Sequence, residues 1–474
     1  MGLVLLSFLV RVIISVRDSL CLDEIWSLNF ALAVDHWWEA FTKIRSVNSH
    51  AANTAWMHLV GLQEYWGWYR LPAVLCGTAA VALVACHRIF GSQRQRLLGA
   101  FLMAASYPFV HYSAEARGYT PAALCALLAY LCLKLYWEKK SLVRLAGFHL
   151  SIIIGLTWHL SFIFIIAAFG FWIVWRNFNS IKGTGPRLRE SAALLLPFGM
   201  FTAVFYLIFI RHLTNEGGKT TIVWDGICNV FGNALGGPDH GPLALFSVLI
   251  VLSLIFCNGY KLWRQRSPEW VFRTCALLLM PAIIVASQNT DYIYYRYFLV
   301  CFPFLYLLIA EEIMAAWHRT SWQRITATVF LILITTFHVG RTANLMRYGR
   351  GDGVGAVLSM ASQTKRTQLD IGSDHDFRIK MMLFYYGYFV PKELPVVYHD
   401  WNHWPKDGVE WVIAHHSETR SHFTRNGIVY RLDATYPFFG GDAGMKWDVY
   451  RNIGPASSTA NQPAANRPAQ EQSR

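Results

Sequence analysis

Residues 191–211, which read SAALLLPFGMFTAVFYLIFIR, decide the fold class. The first twenty of these residues carry no charge, and they lie between Glu190 and Arg211. A helix of that length is about 30 Å long, which matches the hydrocarbon core of a bilayer. The stretch therefore predicts a helix that spans a membrane.

Ten further runs are apolar in the same way, although several are shorter: 1–17, 69–90, 97–112, 119–137, 144–158, 160–175, 242–260, 271–288, 297–316 and 325–341. We therefore predict a polytopic α-helical membrane protein with about eleven transmembrane helices. Only 15% of the residues are charged and 54% are hydrophobic. Soluble proteins carry about 25% charged residues, so the composition excludes a disordered chain and a small disulfide scaffold.

Basic residues predict the orientation of the chain. They cluster in alternate loops, around positions 88–96, 139–144, 176–189, 261–266 and 319–324. Because loops rich in Lys and Arg stay in the cytoplasm, the N-terminus is predicted inside and everything after the last helix outside. This arrangement explains most of the net charge of +13, and no nucleic acid partner is needed. Residues 1–17 lack a basic start and a cleavage site, so we interpret them as a retained helix rather than a signal peptide.

Two long segments fall on the outer side. Residues 18–68 contain two tryptophan-rich apolar stretches, 24–41 and 54–69, which predict helices in the membrane interface. After a membrane domain at 1–341, residues 342–454 alternate strand-like and helix-like runs and predict a small periplasmic α/β domain. The polar residues 455–474 predict a disordered tail.

The candidate functional residues lie at the predicted outer ends of the helices. They are Asp23 and Glu24 in LCLDEIWS, His50, Glu115 and Arg117 in YSAEARGYT, His159 in TWHLSF, and Asp291 and Arg296 in TDYIYYRY. Charged groups at membrane depth are costly, so they mark function by default. A carboxylate can act as general base for a hydroxyl, and a fixed arginine can bind a phosphate. Together they suit the transfer of a sugar from a phosphate, because negative charge grows on the leaving group.

The same segments resemble the GT-C glycosyltransferases. The resemblance rests on an Arg-bearing first helix followed by LDEIWS, on the loop YSAEARGYT, on the turn TWHLS and on the helix RYFLVCFPFLYLLIA, and it covers about residues 1–340. The nearest members are the bacterial protein-mannosyltransferase-like and aminoarabinose-transferase-like enzymes. The resemblance implies a hexosyl- or pentosyltransferase of the bacterial inner membrane that uses a polyprenyl-phosphate sugar, inverts the sugar carbon and requires no cofactor. Its acceptor would be a glycan, a lipid or a protein on the periplasmic face.

The resemblance also implies roles for individual residues. Asp23 and Glu115 would be the catalytic carboxylates, and Arg296 and Arg117 would bind the donor phosphate. Glu24, His50 and His159 would be weaker substrate contacts. The family often has His-Pro-Pro in the first loop, whereas this chain has His50 followed by Ala-Ala-Asn-Thr.

Other interpretations of the same residues stay open. Asp23 is also a good helix cap, Glu115 and Arg117 could simply pair with each other, and Arg296 could anchor in the interface beside tyrosines. The carboxylates and histidines could instead bind a divalent metal. The main alternative function is a transporter or flippase of a lipid-linked glycan, although the sequence shows no repeats of the kind common in transporters. A membrane anchor that presents residues 342–454 is a third interpretation.

Overall fold

The structure is a computed structural model, and it describes residues 1–214, 223–287, 293–415, 419–439 and 446–456. The chain forms two compact units. The first comprises Met1–Val16 and Ser27–Ala343, and the second comprises Arg17–Trp26 and the chain from Asn344 onward. The predicted boundary at 341/342 is close to the second of these divisions, while Arg17–Trp26 group with the C-terminal part of the chain.

Helices make up nearly all of the first unit. In chain order they are α1 (Gly2–Arg17), α2 (Leu22–Leu32), α3 (Ala51–Val60), α4 (Gly67–Cys86), α5 (Gln93–Ala105), α6 (Tyr107–Ser113), α7 (Tyr119–Glu138), α8 (Leu142–Trp158), α9 (Ile163–Ser180), α10 (Thr184–Ile208), α11 (Val223–Leu235), α12 (Gly241–Arg264), α13 (Glu269–Thr274), α14 (Met280–Ser287), α15 (Phe302–Trp317) and α16 (Ser321–Tyr348). A π-helical segment, Cys275–Leu279, joins α13 to α14, and a 3-10 helix, Tyr295–Cys301, leads into α15.

Within the described residues, helical structure is present in each of the predicted runs, but the number of transmembrane helices stays a prediction. Within the described residues, seven helical segments are long and apolar enough to cross a membrane: Gly67–Cys86, Tyr119–Glu138, Leu160–Ser180, Thr184–His212, Gly241–Arg264, Tyr295–Trp317 and Ser321–Tyr348. The chain is therefore a multi-pass membrane protein. The seventeen-residue α8 is apolar but shorter than these seven.

The predicted span 97–112 is broken into two helices at Ser106. The Ser106 hydroxyl accepts a hydrogen bond from the Phe109 backbone N–H at 3.3 Å, which caps the N-terminus of α6. Pro108 follows in the first turn, where its missing N–H costs no helical hydrogen bond. The start signal of a new helix therefore interrupts an otherwise continuous apolar run.

The core of the first unit is built around the segment Tyr295–Trp317, in which 83% of an 18-residue apolar stretch is buried. The fully buried Tyr306 of α15 shares a hydrogen bond of 2.6 Å with the Ser106 hydroxyl. Tyr306 also donates to the backbone carbonyl of Ala234 in α11, at 3.1 Å. These bonds hold α15 against α11 and against the break between α5 and α6.

The segment 18–68 contains helices α2 and α3, as its two tryptophan-rich stretches predict. Between them lies a short 3-10 helix, Trp37–Phe41. Their location in a membrane interface stays a prediction.

The second unit contains the predicted α/β domain. Its strands are β1 (Leu369–Ser373), β2 (Val396–His399), β3 (Trp411–Ala414), β4 (His422–Arg425), β5 (Ile428–Tyr436) and β6 (Trp447–Pro455), in the order β2-β1-β3-β6-β5-β4. The β2-β1-β3 half is parallel and the rest is antiparallel. The helices of this domain are α17 (Gly353–Gln363) and α18 (Asp376–Tyr386).

Residues Arg17–Trp26 are anchored within the second unit. The Tyr386 hydroxyl of α18 donates to the Leu20 carbonyl at 2.7 Å, and the Arg350 backbone N–H donates to Asp18 at 3.0 Å. The predicted disordered tail lies outside the described residues except for 455 and 456.

Candidate active site

The loop between α6 and α7 lies deep in the first unit. Its two charged residues, Glu115 and Arg117, are only 4% and 3% exposed. Gly118 ends the loop against the last turn of α8. A Cβ atom built on Gly118 would lie 1.8 Å from the carbonyl oxygen of Trp158, so only glycine fits there. The glycine therefore lets the loop approach the turn that carries His159.

The first turn of α3 fixes the backbone of this loop. His50, which caps α3, accepts a hydrogen bond at Nδ1 from the Gly118 N–H, at 2.8 Å. The Asn53 side-chain amide donates to the Ala116 carbonyl at 2.7 Å. Because both bonds are made by buried groups, the loop is tied to the first part of the chain.

Hydrogen bonds to Ser27 and Asn48 help to fix the orientation of Arg117. One terminal nitrogen of its guanidinium donates to the Ser27 hydroxyl at 2.9 Å and to the Asn48 carbonyl at 3.1 Å. The other donates to the Asn48 side-chain oxygen at 2.8 Å. The guanidinium also lies 6.0 Å from the centre of the Tyr119 ring. These contacts place a positive charge at a defined position.

Glu115 is joined to a short buried chain of hydrogen bonds. The His111 Nε2–H donates to a carboxylate oxygen of Glu115 at 2.9 Å. His111 therefore accepts at Nδ1, from the Tyr107 hydroxyl at 3.2 Å. Glu115 is thus oriented by α6, the helix that precedes its loop.

Aromatic rings connect the two histidines to the loop. The Tyr119 ring lies 5.1 Å from that of His50 and 4.3 Å from that of His159. The two imidazoles are 4.4 Å apart and nearly perpendicular, at 87°. Tyr112 lies 4.7 Å from Tyr119 and continues the cluster. The turn after α8 and the start of α3 therefore meet over the first residue of α7.

Both histidines of the cluster are neutral. They lie in turns outside the spanning helices, and burial lowers the pKa of each well below the usual 6.5. The positive charges of Arg117 and Arg296 lower both pKa values further, and His159 adds to the effect on His50. His159 accepts at Nδ1 from the Ser161 N–H at 3.0 Å, so its proton sits on Nε2. The positive charges of both arginines therefore influence the same two imidazoles.

Arg296 is half-buried at the start of the 3-10 helix that precedes α15. Its guanidinium lies 4.8 Å from the centre of the Tyr294 ring and 5.6 Å from that of Tyr297. The backbone N–H of the adjacent Tyr295 donates to the Asn229 side-chain oxygen at 3.4 Å. Asp291, the other candidate of this segment, lies outside the described residues.

An apolar cavity of about 780 Å³ lies in the same unit, beside this segment. Ile293 and Phe298, which flank Arg296 in sequence, both line it. The remaining wall is formed by aliphatic and aromatic side chains of α11, α12, α14, α15 and the π-helical segment, among them Val230, Val251 and Leu277. The segment that carries Arg296 thus contacts a large apolar volume through its residues on either side of the arginine.

Asp23 and Glu24 lie in the first turn of α2 and belong to the second unit. Because α2 begins at Leu22, Asp23 is inside the helix rather than at its cap, and it is 9% exposed. Glu24 is fully buried, accepts from the Cys21 N–H at 2.8 Å and pairs with Arg350 at 3.4 Å. These contacts favour a structural role for Glu24.

The structure thus brings together Glu115, Arg117, His50, His159 and Arg296, all in the first unit. Sequence reasoning missed Asn48, Asn53, His111 and Tyr119. His111 stands four residues before Glu115, which is a usable signal because such residues lie on one helical face. Asn48 and Asn53 flank His50 in the first loop, but nothing in their spacing indicates a contact with residues 116 and 117. Within the described ranges, no group of three or more His, Cys, Asp or Glu is placed to hold a metal ion.

Comparison with known proteins gives matches at the level of structure. No protein-family model and no curated protein sequence matches the chain. The structure is similar to ArnT from Cupriavidus metallidurans in the apo state, at 12% identity and a TM-score of 0.49 over 84% of this chain and 85% of that one. ArnT from the same organism bound to undecaprenyl phosphate gives 12% identity and a TM-score of 0.46 over 98% and 99% of the two chains.

The oligosaccharyltransferase of Archaeoglobus fulgidus in the apo form is a third similar structure, at 10% identity and a TM-score of 0.47. This match covers 83% of the present chain and 64% of the oligosaccharyltransferase. At such low identity and with TM-scores below 0.5, the chemistry of this chain has to follow from its own residues.

Proposed function

We propose that the chain is a membrane glycosyltransferase that moves a hexose or pentose from a polyprenyl-phosphate donor to an acceptor hydroxyl. The observation that carries the proposal is the combination of two fixed cations with an adjacent apolar cavity. Arg117 and Arg296 both act on the imidazoles of the site, and residues on either side of Arg296 line the cavity of about 780 Å³. A lipid phosphate has the matching form, an anionic head on an apolar chain.

In this proposal the arginines bind and stabilise the phosphate. Arg296 contacts the phosphate of the donor, while its ring contacts with Tyr294 and Tyr297 hold the guanidinium in place. Arg117, already oriented by Ser27 and Asn48, adds positive charge as the bond between the sugar and the phosphate breaks. Such fixed charges lower the barrier because negative charge develops on the leaving phosphate.

The reaction itself is a single displacement. The acceptor oxygen forms a bond to the anomeric carbon while the bond from that carbon to the phosphate oxygen breaks, which inverts the carbon. The acceptor proton passes to a carboxylate, for which we propose Asp23 and, as second candidate, Glu115. Polyprenyl phosphate leaves with the electron pair of the broken bond. No metal or other cofactor is part of this proposal.

The remaining candidates support the geometry of the site. His50 and His159 are neutral, and both already accept hydrogen bonds at Nδ1, so we assign them to positioning the loop and to contacts with sugar hydroxyls through Nε2–H. Glu24 orients the start of α2 through its pair with Arg350. We propose that the site faces the periplasm of a bacterial inner membrane, as the distribution of basic loops predicts.

Turnover of a panel of polyprenyl-phosphate sugars by the purified chain tests this function. The assay follows release of polyprenyl phosphate and labelling of crude envelope acceptors, which can be glycans, lipids or proteins. We expect Asp23→Asn and Arg296→Ala each to lose at least a hundredfold in turnover, because general-base and charge-stabilisation effects are each worth about 10²–10⁴-fold. Full activity of Asp23→Asn with a hundredfold loss in Glu115→Gln would move the base to Glu115.

Two control variants match these substitutions. Glu138→Gln removes an acid from an exposed pair with Arg88, and Arg94→Ala removes an exposed arginine. Both should turn over the donor at the wild-type rate. Retained activity in both Asp23→Asn and Glu115→Gln would contradict carboxylate catalysis at this site.

A further inference from the structure

The second unit contains a cavity of about 640 Å³ that the proposed transfer reaction does not use. It lies beside the ends of strands β3, β5 and β6, and its charged lining residues are Lys365, Arg366, Lys406, Asp407, Glu410 and Arg451. The volume is in the range of sites that bind small molecules. Its walls include basic and acidic side chains, which the apolar cavity in the first unit lacks.

The basic residues of this cavity differ in the ion pairs and hydrogen bonds that they make with the rest of the protein. Arg366 pairs with Asp370 at 3.1 Å, and Arg451 donates to the backbone carbonyl of Gln363 at 3.0 Å. Lys365 and Lys406, in contrast, are exposed and make no ion pair with any residue that the structure describes. Two ammonium groups are therefore available to an anion.

Glu410 supplies an acceptor in the same cavity. The residue is only 7% exposed, and its Oε2 atom is buried without a hydrogen-bond partner within the described part of the chain. Its backbone is fixed, because the Glu410 carbonyl accepts from the Asn452 N–H at 2.9 Å. A buried carboxylate oxygen without a donor is costly, so a turn of the Glu410 side chain that brings Oε2 to a donating ligand in the cavity would be favoured.

We propose that this cavity binds a phosphorylated sugar. Lys365 and Lys406 contact the phosphate, and a sugar hydroxyl donates to Oε2 of Glu410. No bond is made or broken, and the proposal does not depend on the transferase activity. A soluble sugar phosphate and the head group of a phosphorylated glycolipid present the same chemistry, and the experiment separates them.

Calorimetric titration of the full chain in nanodiscs tests the site. All proteins carry Arg296→Ala, so that the candidate active site does not contribute phosphate binding. The probes are glucose 1-phosphate, inorganic phosphate and glucose. A parallel flotation assay uses phosphatidylcholine vesicles with or without a phosphorylated glycolipid, and a stronger response to the vesicles than to glucose 1-phosphate identifies the lipid form as the natural ligand.

We expect saturable binding of glucose 1-phosphate that weakens as salt is added. Lys406→Ala should reduce the affinity roughly tenfold, and the Lys365→Ala/Lys406→Ala double variant should reduce it further. Glu410→Gln should weaken glucose 1-phosphate roughly tenfold and leave inorganic phosphate unchanged. Lys392→Ala, an exposed lysine outside the cavity, is the matched control and should bind like the parent.

The lysines are on the surface, so their loss should not unfold the domain, and an unchanged unfolding temperature verifies this. Equal binding by the double lysine variant and its parent would overturn the proposal. So would the absence of binding to both glucose 1-phosphate and the glycolipid vesicles. An equal loss of glucose 1-phosphate and inorganic phosphate in Glu410→Gln would overturn the role of Oε2 as the acceptor of a sugar hydroxyl.

Discussion

Replacing Gly118 by alanine adds one methyl group at the tightest contact of the candidate active site. The new Cβ would lie 1.8 Å from the carbonyl oxygen of Trp158 and 2.7 Å from its carbon. Since Cβ atoms essentially never approach closer than 3.0 Å, the loop or the end of α8 must move by about 1.2 Å, the difference between 3.0 and 1.8 Å. The neighbouring Arg117 would move with the loop.

The size of the effect follows from two losses. The hydrogen bond from the Gly118 N–H to His50 is worth about 1 kcal/mol, and overpacking of a buried site costs about 1–3 kcal/mol. We therefore expect a destabilisation of about 2–4 kcal/mol. A displacement of about 1 Å in a catalytic group can cost roughly a hundredfold in rate, so transfer should fall by about that factor.

Thermal unfolding and sugar transfer by the purified Gly118→Ala variant measure both effects. The matched control is Gly199→Ala in α10, where a Cβ meets nothing within 4 Å and alanine favours the helix. The control should transfer sugar at the wild-type rate and unfold at or above the wild-type temperature. If Gly118→Ala unfolded at the wild-type temperature and transferred sugar at the wild-type rate, the close packing of the loop against α8 would be refuted.

Three further predictions concern single groups. Arg117→Lys keeps the charge but cannot make the three hydrogen bonds of the guanidinium, so kcat should fall roughly ten- to a hundredfold in steady-state assays. Because the pKa values of His50 and His159 are lowered in the native state, the unfolded chain binds more protons than the native chain below about pH 6.5. The stability that these two histidines contribute is therefore full above that pH and is lost as the pH falls. The double variant His50→Gln/His159→Gln should accordingly show a smaller change of unfolding temperature between about pH 7.5 and 5.5. Glu24→Gln removes the negative charge of the buried pair with Arg350, so the unfolding free energy should drop by about 3–5 kcal/mol, measured by denaturant titration, whereas a loss under 1 kcal/mol would contradict a structural pair.

Local patterns were sufficient to predict most of the helices and strands. The helix-like runs predicted within residues 342–454 include α18, whose apolar residues and first-turn acid are local signals. The strand His422–Arg425 was missed, since it is short, polar and exposed at the sheet edge and forms only by pairing with β5. The break at Ser106 was missed because hydropathy is averaged over many residues, and such an average does not detect the single capping residue at which a new helix begins.

Less of the candidate site than of the fold could be predicted from the sequence. The loop 114–118 and the two histidines stand out as polar residues between apolar runs, so their proximity could be inferred from a common predicted side. The contact of Arg117 with Asn48 joins positions 69 apart in the chain, and no local pattern encodes it. The pair of Glu24 with Arg350 spans 326 positions and shows why adjacent acids, Asp23 and Glu24, cannot be assigned roles from spacing alone.

The most direct test is a mass balance on the donor. The chain is reconstituted in proteoliposomes with one polyprenyl-phosphate sugar, and released polyprenyl phosphate, glycosylated acceptor and transbilayer movement of the intact donor are measured together. Sugar transfer predicts one glycosylated acceptor for each polyprenyl phosphate released, with both lost in Arg296→Ala. Movement of intact donor across the bilayer without release of polyprenyl phosphate would contradict the proposed transferase and identify a flippase.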